Sequence, residues 1–209
     1  MEDSLHLYTL PYNVQRPIVC VDELPVQLLS DVVAPLPMQA NKPQRGDYEY
    51  ARGGTAALFV AFEPLTGTRL VETRRQRTKA DYCRFMHRVA ALFPMAEQLV
   101  LVQDNLNTHH ASSFYEHLVP EDAFALAQRF EFHYTPKQGS WLNIAELELA
   151  ALSRICLARR IGSFEDLDRE IQILVDERNQ LGIKVEWQFS LTRARKKLRR
   201  HYQKVQSKH

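Results

Sequence analysis

The sequence of 209 residues predicts an α/β fold in which a mixed β-sheet is flanked by helices. Two patterns lead to this prediction. Short apolar runs rich in β-branched residues first follow one another across a turn, and later alternate with segments of helical periodicity. The apolar content of 45% and the charged content of 25% are ordinary for a globular protein, and the length suits one main core.

The first part of the chain predicts strands. Ile18 begins a short apolar run that ends at Asp22, and a second run is entered through Pro25. Residues 34–52 contain several prolines among polar residues and predict a loop. Residues 63–67, Glu-Pro-Leu-Thr-Gly, predict the turn of a hairpin. The predicted strands are residues 18–22, 26–33, 55–62 and 68–73.

The rest of the chain predicts alternating helices and strands. Thr78 is expected to begin a helix, because apolar residues then recur at three- and four-residue steps as far as Pro94. Ser163, with Asp166 three residues later, predicts the start of another helix. Ser190 is expected to cap a final basic helix. The remaining predicted elements are strands at 99–103 and 130–134 and helices at 110–118, 121–128, 144–158 and 164–180.

Three acidic residues indicate a metal site. Asp22 ends the run Ile-Val-Cys-Val-Asp, Asp104 ends Leu-Val-Leu-Val-Gln-Asp, and Glu146 lies near the start of a predicted helix. A carboxylate at the mouth of a buried strand is costly unless a cation meets it. Two strands that each deliver an aspartate to one edge of a sheet, with a glutamate from a later helix, predict a cage for divalent metal and phosphoryl-transfer chemistry on nucleic acid.

These positions also have structural interpretations. Asp104 can cap the turn that follows its strand, with Asn105 as the turn residue. Asn143 can cap the next helix, which makes Glu146 its partner in a capping box. Glu148 is the rival metal ligand, although it lies close to the predicted apolar stripe of that helix. The stripe consists of Ile144, Leu147, Ala151 and Ile155.

Charge is distributed unevenly along the chain. The net charge is only +2, yet residues 190–209 contain eight Lys and Arg and no acid, and the remaining 19 basic residues (27 less 8) face 25 acidic ones. The basic end is expected either to contact phosphate or to form a solvated helix. A second basic cluster allows the same two interpretations. It consists of Arg74, Arg75, Arg77 and Lys79.

Several classes of protein are disfavoured by the sequence. No apolar run approaches the roughly 20 residues of a spanning helix. The acidic start lacks the apolar segment of a signal peptide. The three cysteines, Cys20, Cys83 and Cys156, are widely spaced and show no paired zinc spacing. A reducing cytoplasm is therefore the expected compartment.

Four motifs together resemble a known family. They are Val-Asp-Glu at 21–23, Gln-Asp-Asn-Leu-Asn-Thr-His at 103–109, Tyr-Thr-Pro-Lys-Gln-Gly-Ser-Trp-Leu-Asn at 134–143, and Glu146. In this combination the chain resembles the catalytic core of bacterial insertion-sequence transposases of the insertion-sequence-630 family, which are relatives of the mariner superfamily. The similarity runs from about Pro17 onward. It implies a ribonuclease-H-like fold with extra C-terminal helices.

The resemblance also implies a chemistry. Asp22, Asp104 and Glu146 would form a catalytic DDE triad that holds Mg²⁺ or Mn²⁺, with two ions, and would cleave DNA at transposon ends and join the 3′ end to target DNA. The expected partners are DNA and a second copy of the chain, in the bacterial cytoplasm at the nucleoid. Residues expected to support the carboxylates or contact DNA are Glu23, Asn105, Asn107, His109, Trp141 and Asn143. DNA contacts are also expected from Arg193, Arg195, Lys196, Lys197, Arg199 and Arg200.

Details of the resemblance shape further expectations. Glu23 should point to the side of its strand opposite Asp22, and Trp141 should either stack on a base or belong to the core. The step of 42 residues from Asp104 to Glu146 is longer than usual in the superfamily. We expect residues 1–17 to be a lead-in, 18–189 the catalytic domain and 190–209 a basic helix, without the helix-turn-helix reader of the family. The alternatives are an inactive or DNA-binding-only remnant, or a nuclease or resolvase of the same fold.

Overall fold

The centre of the computed structural model, which describes residues 1–36, 39, 46–137, 139–200 and 202, is a mixed β-sheet. The strands are β1 (Ile18–Asp31), β2 (Tyr50–Phe62), β3 (Arg69–Arg74), β4 (Leu99–Gln103) and β5 (Phe130–Tyr134). Their order in the sheet is β3-β2-β1-β4-β5. β1, β2 and β3 pair antiparallel, whereas β4 is parallel to both β1 and β5. This arrangement confirms the predicted mixed sheet.

Helices cover both faces of the sheet. Those of the described residues are α1 (Glu2–Leu7), α2 (Lys79–Leu92), α3 (Ser112–Tyr115), α4 (Pro120–Gln128), α5 (Ala145–Ile155), α6 (Phe164–Gln180) and α7 (Leu191–Lys197), with a short 3₁₀ helix at Ser140–Leu142. Local capping explains three of the starts: Thr78 forms a capping box with Asp81, and Ser163 and Ser190 each accept a backbone N–H bond. The helix predicted at 110–118 is shorter, and the one predicted at 144–158 ends at Ile155.

The first strand differs from its prediction. β1 runs without interruption through Pro25, so the predicted separation into two strands is wrong. β4 pairs only with Ile18–Cys20, and one side of β1 is therefore an edge beyond that point. A proline is tolerated at such an edge because its missing N–H removes no ladder bond. β2 also begins five residues early, at Tyr50, inside the predicted loop 34–52, of which residues 37, 38 and 40–45 lie outside the described residues.

Alternation along the strands divides the buried side chains between two layers. Cys20 and Val102 face the layer formed with α5 and α6, together with side chains such as Leu152 and Ile171. Their neighbours in the strands face the layer formed with α2, α3 and α4. That second layer includes Val19, Val21, Phe59, Leu101, Tyr82, Phe85 and Phe114. Residues that follow each other in β1 therefore reach opposite sides of the sheet.

The ends of the described chain meet in a third, smaller cluster. Leu5 of α1 is fully buried and packs with Leu142 and with Ala194 of α7. The Arg195 guanidinium donates two hydrogen bonds to Glu2, at 2.8 and 2.6 Å. Within residues 1–17, the predicted lead-in, α1 is therefore packed against the body of the protein.

Two further expectations concern the chain as a whole. Cys20, Cys83 and Cys156 are buried free thiols. Within the described part of the chain, none of the helices has both the length and the apolar character needed to span a bilayer.

Candidate active site

Asp22 and Asp104 lie side by side where β1 passes the end of β4. The register pairs Cys20 with Val102, so a step of two residues along each parallel strand brings the aspartates level. Asp22 continues the alternation of Cys20 and faces the layer covered by α5, whereas Asp104 follows the end of β4 and its carboxylate bonds to His109. Glu146 lies in the first turn of α5. The fold therefore brings Asp104 and Glu146 close enough to Asp22 for their charges to act on it.

The electrostatics of Asp22 reflect this proximity. Burial raises the pKa of Asp22 to about 6, aided by the negative charges of Asp104 and Glu146 and opposed by the backbone N–H of Glu23, which donates to its Oδ1 at 2.8 Å. Three carboxylates are thus close enough to repel one another. This is the electrostatic condition that a divalent cation relieves.

The donor chemistry of the three acids suits a hard cation such as Mg²⁺ or Mn²⁺, which prefers carboxylate oxygen. As the side chains are placed, however, no group of three Asp, Glu, His or Cys residues in the described parts of the chain encloses an ion. One reason is visible at Asp104, whose carboxylate is bonded to His109. The residues therefore fit a metal by type and location, and holding one requires their side chains to move.

His109 joins two carboxylates beneath the site. Its Nδ1 bonds to Asp104 Oδ1 and its Nε2 lies 2.9 Å from Glu23 Oε1. The imidazole is fully buried. Burial alone would lower the pKa of His109, but the hydrogen bonds to Asp104 and Glu23 raise it to about 9, so the ring is a cation that donates to both acids near neutral pH. Glu23 lies on the side of β1 opposite Asp22, as expected.

Two buried residues that the sequence analysis missed support His109. Tyr82 stacks on the imidazole with ring centroids 4.9 Å apart, and its hydroxyl donates to Gln103 Oε1 at 2.9 Å. Gln103 Nε2 donates in turn to the carbonyl of His109 at 2.6 Å. The signal for Gln103 was present in the sequence, since a polar residue at the end of an apolar strand is costly without a partner.

Asn143 connects α5 to β1. Its amide donates to the carbonyl of Val21 at 2.8 Å and to Asp22 Oδ2 at 3.3 Å, and its Oδ1 accepts from the N–H of Ala145. The N-cap position of α5 is occupied by Ile144, so the capping box predicted for Asn143 and Glu146 does not form. Glu146 is thereby left without that structural role.

Glu148, the rival ligand, belongs to a buried ion cluster on the other side of α5. It accepts two hydrogen bonds of 2.8 Å from Arg178 of α6, and Arg69 Nε of β3 lies 3.1 Å from it. The apolar stripe predicted for α5 is wrong in part, because Leu147 and Ile155 are about half exposed. Arg69 and Arg178 bind Glu148 in the interior of the protein. The face of α5 that carries Leu147 and Ile155 is therefore turned toward solvent.

Trp141 is partly exposed rather than part of the core. Its ring meets Phe189 edge-on, with centroids 5.5 Å apart. Together with Trp187, Lys197 and Leu198 these rings line a cavity of about 390 Å³. Asn105 and Asn107 line a second cavity of about 430 Å³ beside Asp104, together with Glu23, Arg77, Leu106 and Thr108.

The basic residues that are expected to contact DNA differ in whether they already have a partner within the protein. Arg195 is bound to Glu2, Arg193 donates to the carbonyl of Gln188 at 3.1 Å, and Lys197 lies 5.8 Å from the Phe189 ring. Lys196, Arg199 and Arg200 form no ion pair within the described residues. Lys204 and Lys208 of the predicted basic segment 190–209 lie outside those residues.

The fold defines a class: a ribonuclease-H-like α/β domain, here with three acids close together. The model of one sequence family, described as DDE superfamily endonuclease, matches residues 17–168, most of the chain. The chain therefore belongs to the DDE superfamily of endonucleases. A comparison with curated proteins gave no significant match.

Solved structures share this fold. The Mos1 strand transfer complex superimposes with a TM-score of 0.56 at 17% identity, covering 87% of this chain and 55% of that one. The Mos1 paired-end complex with the left transposon end superimposes with a TM-score of 0.55 at 16% identity, covering 87% of this chain and 56% of that one. The Mos1 mariner paired-end complex with Mn superimposes with a TM-score of 0.53 at 16% identity, with the same coverage of 87% and 56%. The chain spans about half the length of these proteins.

Proposed function

We propose that this protein provides the catalytic domain of a DDE transposase, which cleaves DNA at transposon ends and joins the 3′ end to target DNA. The observation that carries the proposal is the proximity of Asp104 and Glu146 to Asp22, whose pKa their charges help to raise. Membership of the DDE endonuclease family supports the cleavage step. The shared fold with Mos1 transposase complexes supports the choice of transposition among the reactions of that family.

In this proposal Asp22, Asp104 and Glu146 hold the divalent metal, Mg²⁺ or Mn²⁺, as two ions. Bound ions of this kind activate the attacking oxygen and stabilise the leaving oxygen of an in-line displacement. The structure of Mos1 with Mn, which has the same fold, supports the expectation. The chain itself supplies the negative site, and partial burial of Asp22 ensures that its carboxylate gains from a nearby cation.

The surrounding residues orient the acids. The His109 imidazolium holds Asp104 through Nδ1 and is itself held by Glu23 through Nε2. Asn143 fixes Asp22 to the start of α5, the helix that carries Glu146. These contacts come from buried groups that keep the acids close together before DNA arrives, and the carboxylates then turn to hold the metal. His109 is consequently a positioning residue in this mechanism and carries no proton between reacting atoms.

DNA and a second copy of the chain are the proposed partners. Backbone phosphate would be contacted by the cations of this region that pair with no acid among the described residues, which are Lys196, Arg199 and Arg200. The paired-end complexes of Mos1, which share the fold, support assembly on two DNA ends. The proposed location of this activity is the bacterial cytoplasm, at the nucleoid.

Nicking of supercoiled plasmid in Mn²⁺ tests the proposal. The wild type should nick the plasmid, Asp104→Asn should not, and Asp176→Asn should behave as the wild type, since Asp176 is an exposed residue of α6. Retention of nicking by Asp104→Asn would refute the site. Failure of the wild type, with melting that responds to metal only when Asp104 is intact, would favour a metal-binding remnant that lacks activity.

A further inference from the structure

A polar cleft lies beside Asp104 on the side of Glu23. It has a volume of about 430 Å³ and is lined by Glu23, Arg77 and the loop that follows β4. The loop residues of the cleft are Asn105, Leu106, Asn107 and Thr108. The cleft therefore combines one cation with amide and hydroxyl groups next to a proposed catalytic carboxylate.

Arg77 is the member of its basic cluster that remains uncompensated. Arg74 bonds to Glu72, Arg75 to Glu165 at 2.8 Å and Lys79 to Glu116 at 2.5 Å. Arg77 is exposed and has no ion pair with any acid in the described ranges. The segment between β3 and α2 thus directs one free guanidinium toward the cleft.

The acid in the cleft does not neutralise this arginine. The Glu23 side chain is buried and its Oε1 lies 2.9 Å from His109 Nε2, so this acid is engaged by His109 rather than by Arg77. The side chains of Asn105 and Asn107 are exposed and form no hydrogen bond within the described residues. A free guanidinium with amide donors around it matches the oxygens of a phosphate group, which arginine binds through two parallel N–H bonds.

We propose that Arg77, with Asn105 and Asn107, binds a backbone phosphate of the DNA strand that passes Asp104. This inference rests on the proposed function and extends it with a phosphate site distinct from the basic helix α7. A cation on the α2 side of Asp104 would fix the strand from the side opposite α5, which carries Glu146. The residue would act by positioning DNA, and its loss should affect binding more than turnover.

The test compares Arg77→Gln with Arg75→Gln in the whole chain. Binding of a short fluorescent duplex is measured by anisotropy in EDTA over a range of salt. One lost phosphate contact lowers the slope of log Kd against log salt by about 0.9. Arg77→Gln should show this loss, and Arg75→Gln should keep the wild-type slope because Glu165 occupies its guanidinium. Arg77→Lys, which keeps the charge, should restore the slope.

Turnover on plasmid in Mn²⁺ provides the second measurement. Arg77→Gln should raise KM for DNA severalfold and leave kcat within about twofold, as expected for a binding contact. If the wild type binds and nicks DNA while Arg77→Gln keeps the same slope and KM, the phosphate site is refuted and the proposed function stands. Equal losses in both variants would also refute it, since the whole segment would then act as diffuse charge. A wild type that binds no DNA would overturn both proposals.

Discussion

His109 and Glu23 are 86 residues apart in the sequence, yet His109 Nε2 lies 2.9 Å from Glu23 Oε1 at the base of the candidate active site. The other ring nitrogen bonds to Asp104. A buried imidazolium therefore compensates two acids, one of them proposed to bind metal. The arrangement explains how a partly buried cluster of carboxylates persists before any cation is bound.

Replacement of His109 by alanine should destabilise the protein by about 3 kcal/mol, because it leaves the buried Glu23 carboxylate without its partner. Urea unfolding of the variant measures this loss. His117→Ala is the matched control, since His117 is exposed. Equal stability of the two variants would show that the imidazole contributes nothing as a cation.

The His109 contacts also predict a pH dependence. The pKa of His109 is about 9 in the folded protein and 6.5 is its ordinary value, so the stability from these contacts is complete below pH 6.5 and is lost as pH rises through 9. Chemical unfolding at several pH values measures the slope. The slope between pH 6.5 and 9 should flatten in His109→Gln, and a slope that stays unchanged would contradict the assignment.

The raised pKa of Asp22 predicts a second range, at lower pH, in which the stability of the protein changes with pH. Its pKa is raised from 3.8 to about 6, so the folded state binds the proton more tightly than the unfolded state. Stability should therefore fall, by up to about 3 kcal/mol, as pH rises from 4 to 6. Asp22→Asn should remove that fall in unfolding measurements. An identical profile in the variant would show that burial and the neighbouring acids do not raise the pKa of Asp22.

Binding of a divalent metal should offset the repulsion among the carboxylates of Asp22, Asp104 and Glu146. When the free metal concentration is about 100 times Kd, binding stabilises the folded state by about 2.7 kcal/mol, which corresponds to a rise in Tm of roughly 5–10 °C. Glu146→Gln should abolish the rise in a Mn²⁺ titration followed by thermal melting. Asp176→Asn, on the exposed face of α6, should retain it. A full response from Glu146→Gln would remove Glu146 from the metal site.

Substitution of Glu148 should lower the free energy of unfolding, whereas substitution of Glu146, two residues earlier, should change it little. Glu148→Gln removes the acid that compensates Arg69 and Arg178 and should destabilise the protein by about 3–5 kcal/mol, as is typical of a broken buried pair. Glu146→Gln should leave the free energy of unfolding within about 1 kcal/mol, because its side chain is partly exposed. Urea titration of both variants compares them directly, and the reverse order would assign the metal to Glu148.

Much of the fold was predictable because its signals are local. β4 and β5 have the predicted bounds, since short apolar runs ending at polar residues need no information from elsewhere. The starts of α2 and α6 follow from Thr78 and Ser163, whose side chains bond to backbone groups three residues later. Asp22 and Asp104 were recognisable for the same reason, since each follows an apolar run, although β1 continues past Asp22 to Asp31.

Other features depended on partners that no local pattern reveals. The continuity of β1 through Pro25 depends on how few residues β4 pairs with it. The rotation of α5 follows from Arg69 and Arg178, which lie far from Glu148 in sequence and approach it only when β3 and α6 pack together.

The sequence by itself determined the class of fold, the start of each capped helix and the identity of the three candidate acids, because strand ends and caps are set by neighbours in the chain. Only the tertiary structure decided that His109 bridges Asp104 and Glu23 and that Glu148 belongs to an ion cluster. The physical reason is that a buried charge must be paired, and its partner is chosen by packing rather than by sequence distance.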